Sequence, residues 1–204
     1  DYGFNDLKDP NAYNPERSKQ LLAEDGWKDT DGDGILDKDG KPLTFNFIVY
    51  NSRAELPLYA EAVQADLKKV GIDMKIKTVD YNLIDKMGQD GDYDMLISNI
   101  VTANTGDPIW FLANYWHTNN NGSNPQNGSG YSNPQVDQLL DAAETEFDPA
   151  KRRDYAMQIQ QLLMNDGAAL FLGYPKTNIV TGSYLKGAVM YPSDYYWITN
   201  KITK

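Results

Sequence analysis

Apolar and polar positions along this 204-residue chain alternate between two periods. From Leu43 to Tyr50 the period is two, with Phe45, Phe47 and Val49 on one side, which predicts a strand. Leu56, Tyr59, Ala60, Val63, Leu67 and Val70 then recur at helical spacing, and Gly71 closes that pattern. Period two returns over Ile72 to Val79, where Met74 and Ile76 face one way and Lys75 and Lys77 the other. Strand, helix, strand is a crossover unit. A brief helix from Asn82 to Gln89 leads to Tyr93 to Ile100, a nearly continuous apolar run that reads as a central strand covered on both faces. The repetition of the unit predicts parallel strands with helices across them.

Flanking segments carry sharper punctuation. Asn14-Pro15-Glu16 supplies an N-cap and a proline at the first helical turn, Leu21 and Leu22 an apolar side, and Gly26 a stop. Thr102 to Tyr131 mixes Trp110, Phe111, Tyr115, Trp116 and Tyr131 with an Asn, Gly and Ser-rich stretch from Asn119 to Gly130, and reads as one long surface loop. Loops of that length are usually functional or disordered. Asn133-Pro134 then opens a helix with Val136, Leu139, Leu140, Ala143 and Phe147 on one face. Asp148-Pro149 opens another with Tyr155, Ile159, Leu162 and Leu163 inward. Ala168 to Tyr174 and Asn178 to Thr181 read as short strands, ahead of a mixed tail from Tyr184 to Trp197.

The least ordinary stretch is Asp29 to Gly40, with five carboxylates in twelve residues. Asp29, Asp31 and Asp33 followed by Gly34 match the opening of an EF-hand-type calcium loop, with Ile35 placed to offer a carbonyl and Asp37 a further oxygen. The closing position departs from that pattern. Gly40 stands where a bidentate Glu belongs, and Asp39 is one residue early. Two readings stay open: a weak, partly hydrated site for a structural calcium ion, or a solvated acidic turn.

Composition narrows the function classes. With 19 basic and 29 acidic residues the net charge is −10, which argues against nucleic acid and anionic membrane surfaces as partners. The chain has no cysteine, which removes disulfides, thiol catalysis and thiolate metal sites. Its one histidine, His117, gives no readable Ser-His-Asp arrangement and too few ligands for zinc. Glycine-rich phosphate loops are missing, and Asp92 and Asp94 read as turn and edge residues beside a strand rather than as an acid and base pair. No enzyme activity and no required cofactor are expected. A calcium-dependent adhesion or glycan-binding module is the rival from another class, suggested by the acidic loop and 14 tyrosines.

The order of several fragments resembles a known family. They are Asn14 to Trp27 with Asp39-Gly40-Lys41-Pro42-Leu43 behind it, Ala62 to Ile72, Asp92-Tyr93-Asp94, Gly106-Asp107-Pro108, Tyr131 to Leu140, Arg152-Arg153, and Leu185-Lys186-Gly187. In that order they resemble the extracellular solute-binding proteins of peptide and nickel ABC transporters, family 5. The resemblance implies a periplasmic-binding-protein-like α/β lobe with a mixed, mostly parallel sheet flanked by helices. Residues 1–182 would form the C-terminal ligand-binding lobe, and residues 183–204 a segment rejoining a first lobe. It further implies an extracellular or periplasmic protein, anchored as a lipoprotein in its full-length form, with a membrane permease as partner. The cargo would be a peptide or peptide-like solute, with a nickel or metallophore complex as the alternative.

Cleft residues follow from where open α/β sheets hold ligands, at and beyond the end of the central strand. Asn99, Asn104, Asp107, Trp110, Tyr115, Trp116 and His117 are expected to face the solute. Dipeptide-binding members carry an Asp for the peptide ammonium at the position that Asn104 occupies, and a neutral amide cannot supply that charge-assisted bond. The Ser52 to Pro57 opening resembles the nickel branch, where the imidazole of His117 would suit a metal chelate.

Overall fold

A computed structural model of the chain describes residues 6–91, 93–100, 106–174, 178–189 and 199–204. In chain order its elements are α1 (Pro15–Glu24), β1 (Asp37–Lys38), β2 (Lys41–Pro42), β3 (Thr44–Tyr50), α2 (Glu55–Lys68), β4 (Asp73–Val79), a 3-10 turn (Tyr81–Leu83), α3 (Ile84–Asp90), β5 (Met95–Leu96), α4 (Ile109–Trp116), α5 (Pro134–Thr145) and α6 (Pro149–Asn165). The result is an α/β fold with a sheet layer and a helical layer. Three of the helices open as the cap signals predict: Asn14, Asn133 and Asp148 accept from the backbone N–H groups of Arg17, Gln135 and Ala150.

The sheet is parallel, in the order β4-β3-β5, and the antiparallel β1–β2 hairpin stands apart from it. β3 is the central strand. It pairs with β4 along its whole length, from Thr44↔Asp73 to Tyr50↔Val79, and its last four residues are all buried, so both faces are covered there. The run from Tyr93 to Ile100 is instead an edge strand of two residues, paired at Phe47↔Met95 and Ile48↔Leu96. After Ile97, whose N–H reaches the Ile48 carbonyl at 3.1 Å, the Asn99 amide turns to the Tyr50 hydroxyl and the ladder ends. Asp94 accepts from the Asn46 amide and side chain, which makes it a strand-edge residue.

At the other end of β3 the acidic loop is stitched to the sheet. Leu36 donates to the Gly71 carbonyl at 2.8 Å, and Gly71 has φ +83°, with any Cβ falling 2.6 Å from the Leu36 side chain. Only glycine meets both demands. A small cluster of Leu43, Val70 and Ile72, with Trp27 and Leu36 against it, closes this end.

α4, α5 and α6 pack around Leu112, Trp116, Val136, Leu140, Ile159 and Leu163. Three expectations change here. The aromatic stretch read as loop contains α4, a helix of two turns whose buried residues Ile109, Leu112, Ala113 and Trp116 recur at helical spacing. Phe147 lies beyond the end of α5 and is 92% exposed, because Asp148 already serves as the N-cap of α6. Ala168 to Tyr174 and Asn178 to Thr181, expected as strands, form none among the described residues: no described strand runs alongside them, and Leu170, Phe171 and Tyr174 stay exposed. The Asn-rich stretch is folded by its own side chains. Asn124 donates to the carbonyls of Ala113 and His117, and the buried Asn127 to those of His117 and Tyr131, so amides terminate α4.

One guanidinium ties the three helices. Arg152 of α6 donates through Nε to Asp107 at 3.0 Å, and through Nη1 to the carbonyls of Ala143 and Glu146 at the end of α5. The other Asp107 oxygen accepts from Ile109, opening α4. The two layers meet where the Tyr93 hydroxyl donates to the Gly128 carbonyl and where Gly88 and Gly128 touch by backbone, a Cβ on Gly128 falling 3.1 Å from Gly88. Arg152→Ala is expected to cost about 2–4 kcal/mol in urea unfolding, since it orphans one carboxylate and two carbonyls. Arg152→Lys should recover only part, because an ammonium cannot reproduce the fork.

Candidate functional site

The open end of the sheet is the C-terminal end of β3 and β5, where polar and aromatic groups converge. Tyr50, 1% exposed, forms the floor. Its hydroxyl accepts from the Asn99 amide at 3.0 Å, and its ring meets Tyr81 edge-on at 5.1 Å between centroids. Burial pushes the Tyr50 phenol above its ordinary pKa, while the Asn99 amide and the nearby Arg53 cation oppose the rise. The Asn99 side chain donates to Glu55, the first residue of α2, at 3.3 Å. Arg53 and Ser52 stand exposed beside it on the turn from β3 to α2.

α4 packs on α5 and α6. Tyr115 lies partly buried against Phe111 at 5.2 Å, and its phenol is raised first by burial and then by the facing Asp85 and Tyr81. Its packing partners are those of the helical core. Trp110, on the first turn of α4, is 44% exposed. Of the expected residues, Asn99 is thus the one bonded to the sheet end, through Tyr50 and Glu55.

The remaining expected contacts are placed differently. Asp107 spends both oxygens within the chain, on Ile109 and Arg152. Trp116 is 7% exposed in the helical core, edge-on to Tyr131 at 5.8 Å, with an indole N–H that finds no partner among the described residues. His117 turns its ring toward α5, with Nε2 3.3 Å from Asp141 and Nδ1 3.6 Å from Asp137. Asn104 lies outside the described residues. Sequence reasoning missed Tyr50, Arg53, Glu55 and Tyr81. The signal was available: the rule that pointed beyond the strand expected to be central applies equally to the end of β3 and the start of α2.

The acidic loop lies at the opposite end of β3, about 20 Å away at the usual rise per residue. Carboxylate oxygens of Asp29, Asp31 and Asp37 come within 4.8 Å of one another. They already serve the backbone: Asp29 accepts from Gly32 and Gly34, Asp31 from Asp33, and Asp37 from Thr30. Asp33 accepts from the Ile35 N–H, and Asp39 sits at φ +54° in the β1–β2 turn, outside that cluster. Held this way, the loop is a set of Asx-type turns.

A parallel sheet with polar and aromatic groups at its strand ends has the architecture in which open α/β folds hold ligands. The chain belongs to the bacterial extracellular solute-binding proteins, family 5: the model of that family's middle region matches residues 1–123. The oligopeptide-binding protein AppA of Bacillus subtilis is 31% identical over 187 residues, covering 88% of this chain and 33% of AppA. Its structure in complex with a nonapeptide superposes with a TM-score of 0.72 over 83% of this chain. The nickel-binding protein NikA of Staphylococcus aureus is 26% identical over 206 residues, covering 98% of this chain and 39% of NikA. DppA of Helicobacter pylori, in complex with peptide STSA, gives a TM-score of 0.75 at 25% identity, over 98% of this chain and 36% of that one. The chain therefore spans about a third of the length of these relatives.

Trp110 and Trp116 separate surface from core. Trp116→Ala should lower unfolding free energy by about 3–5 kcal/mol, whereas Trp110→Ala should stay within about 0.5 kcal/mol of the parent, both read by urea titration.

Proposed function

We propose that this chain is a ligand-gripping lobe of the substrate-binding component of an ABC importer, and that its solute is an oligopeptide or peptide-like molecule. The observation that carries this reading is the convergence at one sheet end of the aromatic pair Tyr50 and Tyr81 with the polar pair Asn99 and Glu55 and the exposed Arg53. Aromatic faces would cover solute side chains, Asn99 and Glu55 would meet backbone amides, and the Arg53 fork matches a carboxylate. Trp110 and Asn104 would border the same space. No bond is made or broken in this scheme, and no cofactor takes part.

The partners of this reading are a membrane permease and a first lobe that closes the cleft from the other side, within an extracellular or periplasmic protein anchored as a lipoprotein. Residues 183–204 would rejoin that first lobe. The exposed Leu170, Phe171 and Tyr174 support an earlier start of that return, since such side chains are normally covered. A nickel chelate is the second reading, favoured by the Ser52 to Pro57 opening of α2. Because the His117 ring is turned to α5, such a chelate would bring its own nitrogen donors.

Calorimetric titration tests the choice. Oligopeptides should bind the intact two-lobed protein at least about 100-fold more tightly than they bind the 204-residue chain, which offers half of the contacts. Arg53→Ala should weaken peptides with a free C-terminus by about 10–100-fold and leave C-terminally amidated ones unchanged. Equal loss for both peptide types, or a nickel-histidine complex outcompeting every peptide, would overturn the assignment. Chelating calcium should leave solute affinity unchanged, because the acidic loop lies at the far end of β3.

A further inference from the structure

The one imidazole of the chain sits where α4 leaves its helical path, and all of its ring contacts are acceptors. His117 is the C-cap of α4, with ψ 138°. Its Nδ1 lies 3.3 Å from the Thr118 carbonyl and 3.6 Å from Asp137, and its Nε2 lies 3.3 Å from Asp141. A carbonyl and two carboxylates have no proton to give. A neutral ring carries one N–H, so one of its nitrogens would face an acceptor lone pair to lone pair; the imidazolium donates from both. The C-terminal end of a helix favours the same cation.

We propose that His117 is a positioning residue: as an imidazolium donating from both nitrogens it clasps the end of α4 to the exposed turn of α5 that carries Asp137 and Asp141. The backbone agrees with that role. The His117 carbonyl accepts from Asn124 at 2.7 Å and from Asn127 at 2.9 Å, and the next residue, Thr118, donates its N–H to Asp137 at 2.9 Å. Ring and main chain are thus held from the two elements that pack on this end, α5 and the 118–131 loop. The charged groups facing the ring are Asp137 and Asp141 of α5. The loop offers the neutral Thr118, Asn124 and Asn127, together with Tyr131, whose phenol is pushed up to about 12 by burial and then by Asp166, and so stays neutral.

Burial pulls the pKa of the ring down, but the Thr118 carbonyl, Asp137 and Asp141 outweigh it, and the net value lies above the ordinary 6.5. A folded-state pKa raised above the unfolded one stabilises fully below pH 6.5, and that stability is lost as pH rises through the folded value. The clasp is therefore closed in mild acid and loosens toward the alkaline side. It stands without the solute reading, since no ligand enters it.

Carbon-detected NMR of the 204-residue chain reads the clasp directly, because His117 gives the one imidazole signal. The midpoint is expected above 6.5 and should fall in Asp141→Asn, a substitution at a side chain that is 72% exposed and so compatible with a folded chain. Between pH 6 and 9 the parent should lose about 2–4 °C more in Tm than His117→Gln does. The emission of Trp116, on the last turn of α4, should move with the same midpoint in the parent. A midpoint at or below 6.5, one that Asp141→Asn leaves in place, or equal pH profiles of Tm for parent and His117→Gln would overturn the proposal.

Discussion

Three helices meet at one guanidinium. Arg152 is where the end of α5, the start of α6 and the entry to α4 are held in a fixed relation, through two backbone carbonyls and the Asp107 carboxylate. The group is partly buried, at 21% side-chain exposure, so its hydrogen bonds are screened less than those of a surface pair. Everything that α4 presents depends on this junction. The helix has eight residues and no capping side chain at its own N-cap, so its position comes from Asp107 at one end and from Asn124, Asn127 and His117 at the other.

That arrangement gives the Asn-rich loop a physical role. A helix of eight residues leaves as many backbone groups unpaired at its ends as a long one does, and they lie in a half-buried setting. Water is a poor partner there. Primary amides carry two donors on a short stem, which suits them to carbonyls that converge, and Asn127 uses both on the carbonyls of His117 and Tyr131. The polar composition of residues 119–130 thus reflects the accounting of hydrogen bonds at the end of α4.

Local signals were legible wherever a short window contains the whole cause. Asn14-Pro15, Asn133-Pro134 and Asp148-Pro149 each place an acceptor and a proline within one turn, and each opens a helix in the structure. The alternation of β4 was readable because Lys75 and Lys77 mark its solvent face. β3 was recognised as a strand but not as the centre of the sheet, since centrality is a property of its neighbours. Family membership was legible in the order of fragments, and the match to residues 1–123 agrees. α4 was hidden by its shortness: Ile109, Leu112, Ala113 and Trp116 do recur at helical spacing, but over only two turns and beside an Asn-rich stretch that reads as loop. The partnership of Asp107 with Arg152, 45 residues apart, was not legible, and it assigns a residue expected at the cleft to the scaffold that holds it. The end of β3 at Tyr50 and the turn at Arg53 were hidden because the apolar run from Tyr93 to Ile100 reads as the central strand, a place that β3 takes in the sheet.

The segment before α1 adds a mechanical property. Asp6 pairs with Arg153 at 3.1 Å, Lys8 exchanges two hydrogen bonds with Gln161, Asn11 donates to the Met164 carbonyl, and Tyr13 reaches Asp66 of α2. These contacts run along α6 before crossing to the sheet layer, so they lie in parallel under a pull along that helix. Tension arriving through the chain ahead of α1 would be shared among them as shear, and the two layers would move as one body instead of peeling apart one bond at a time.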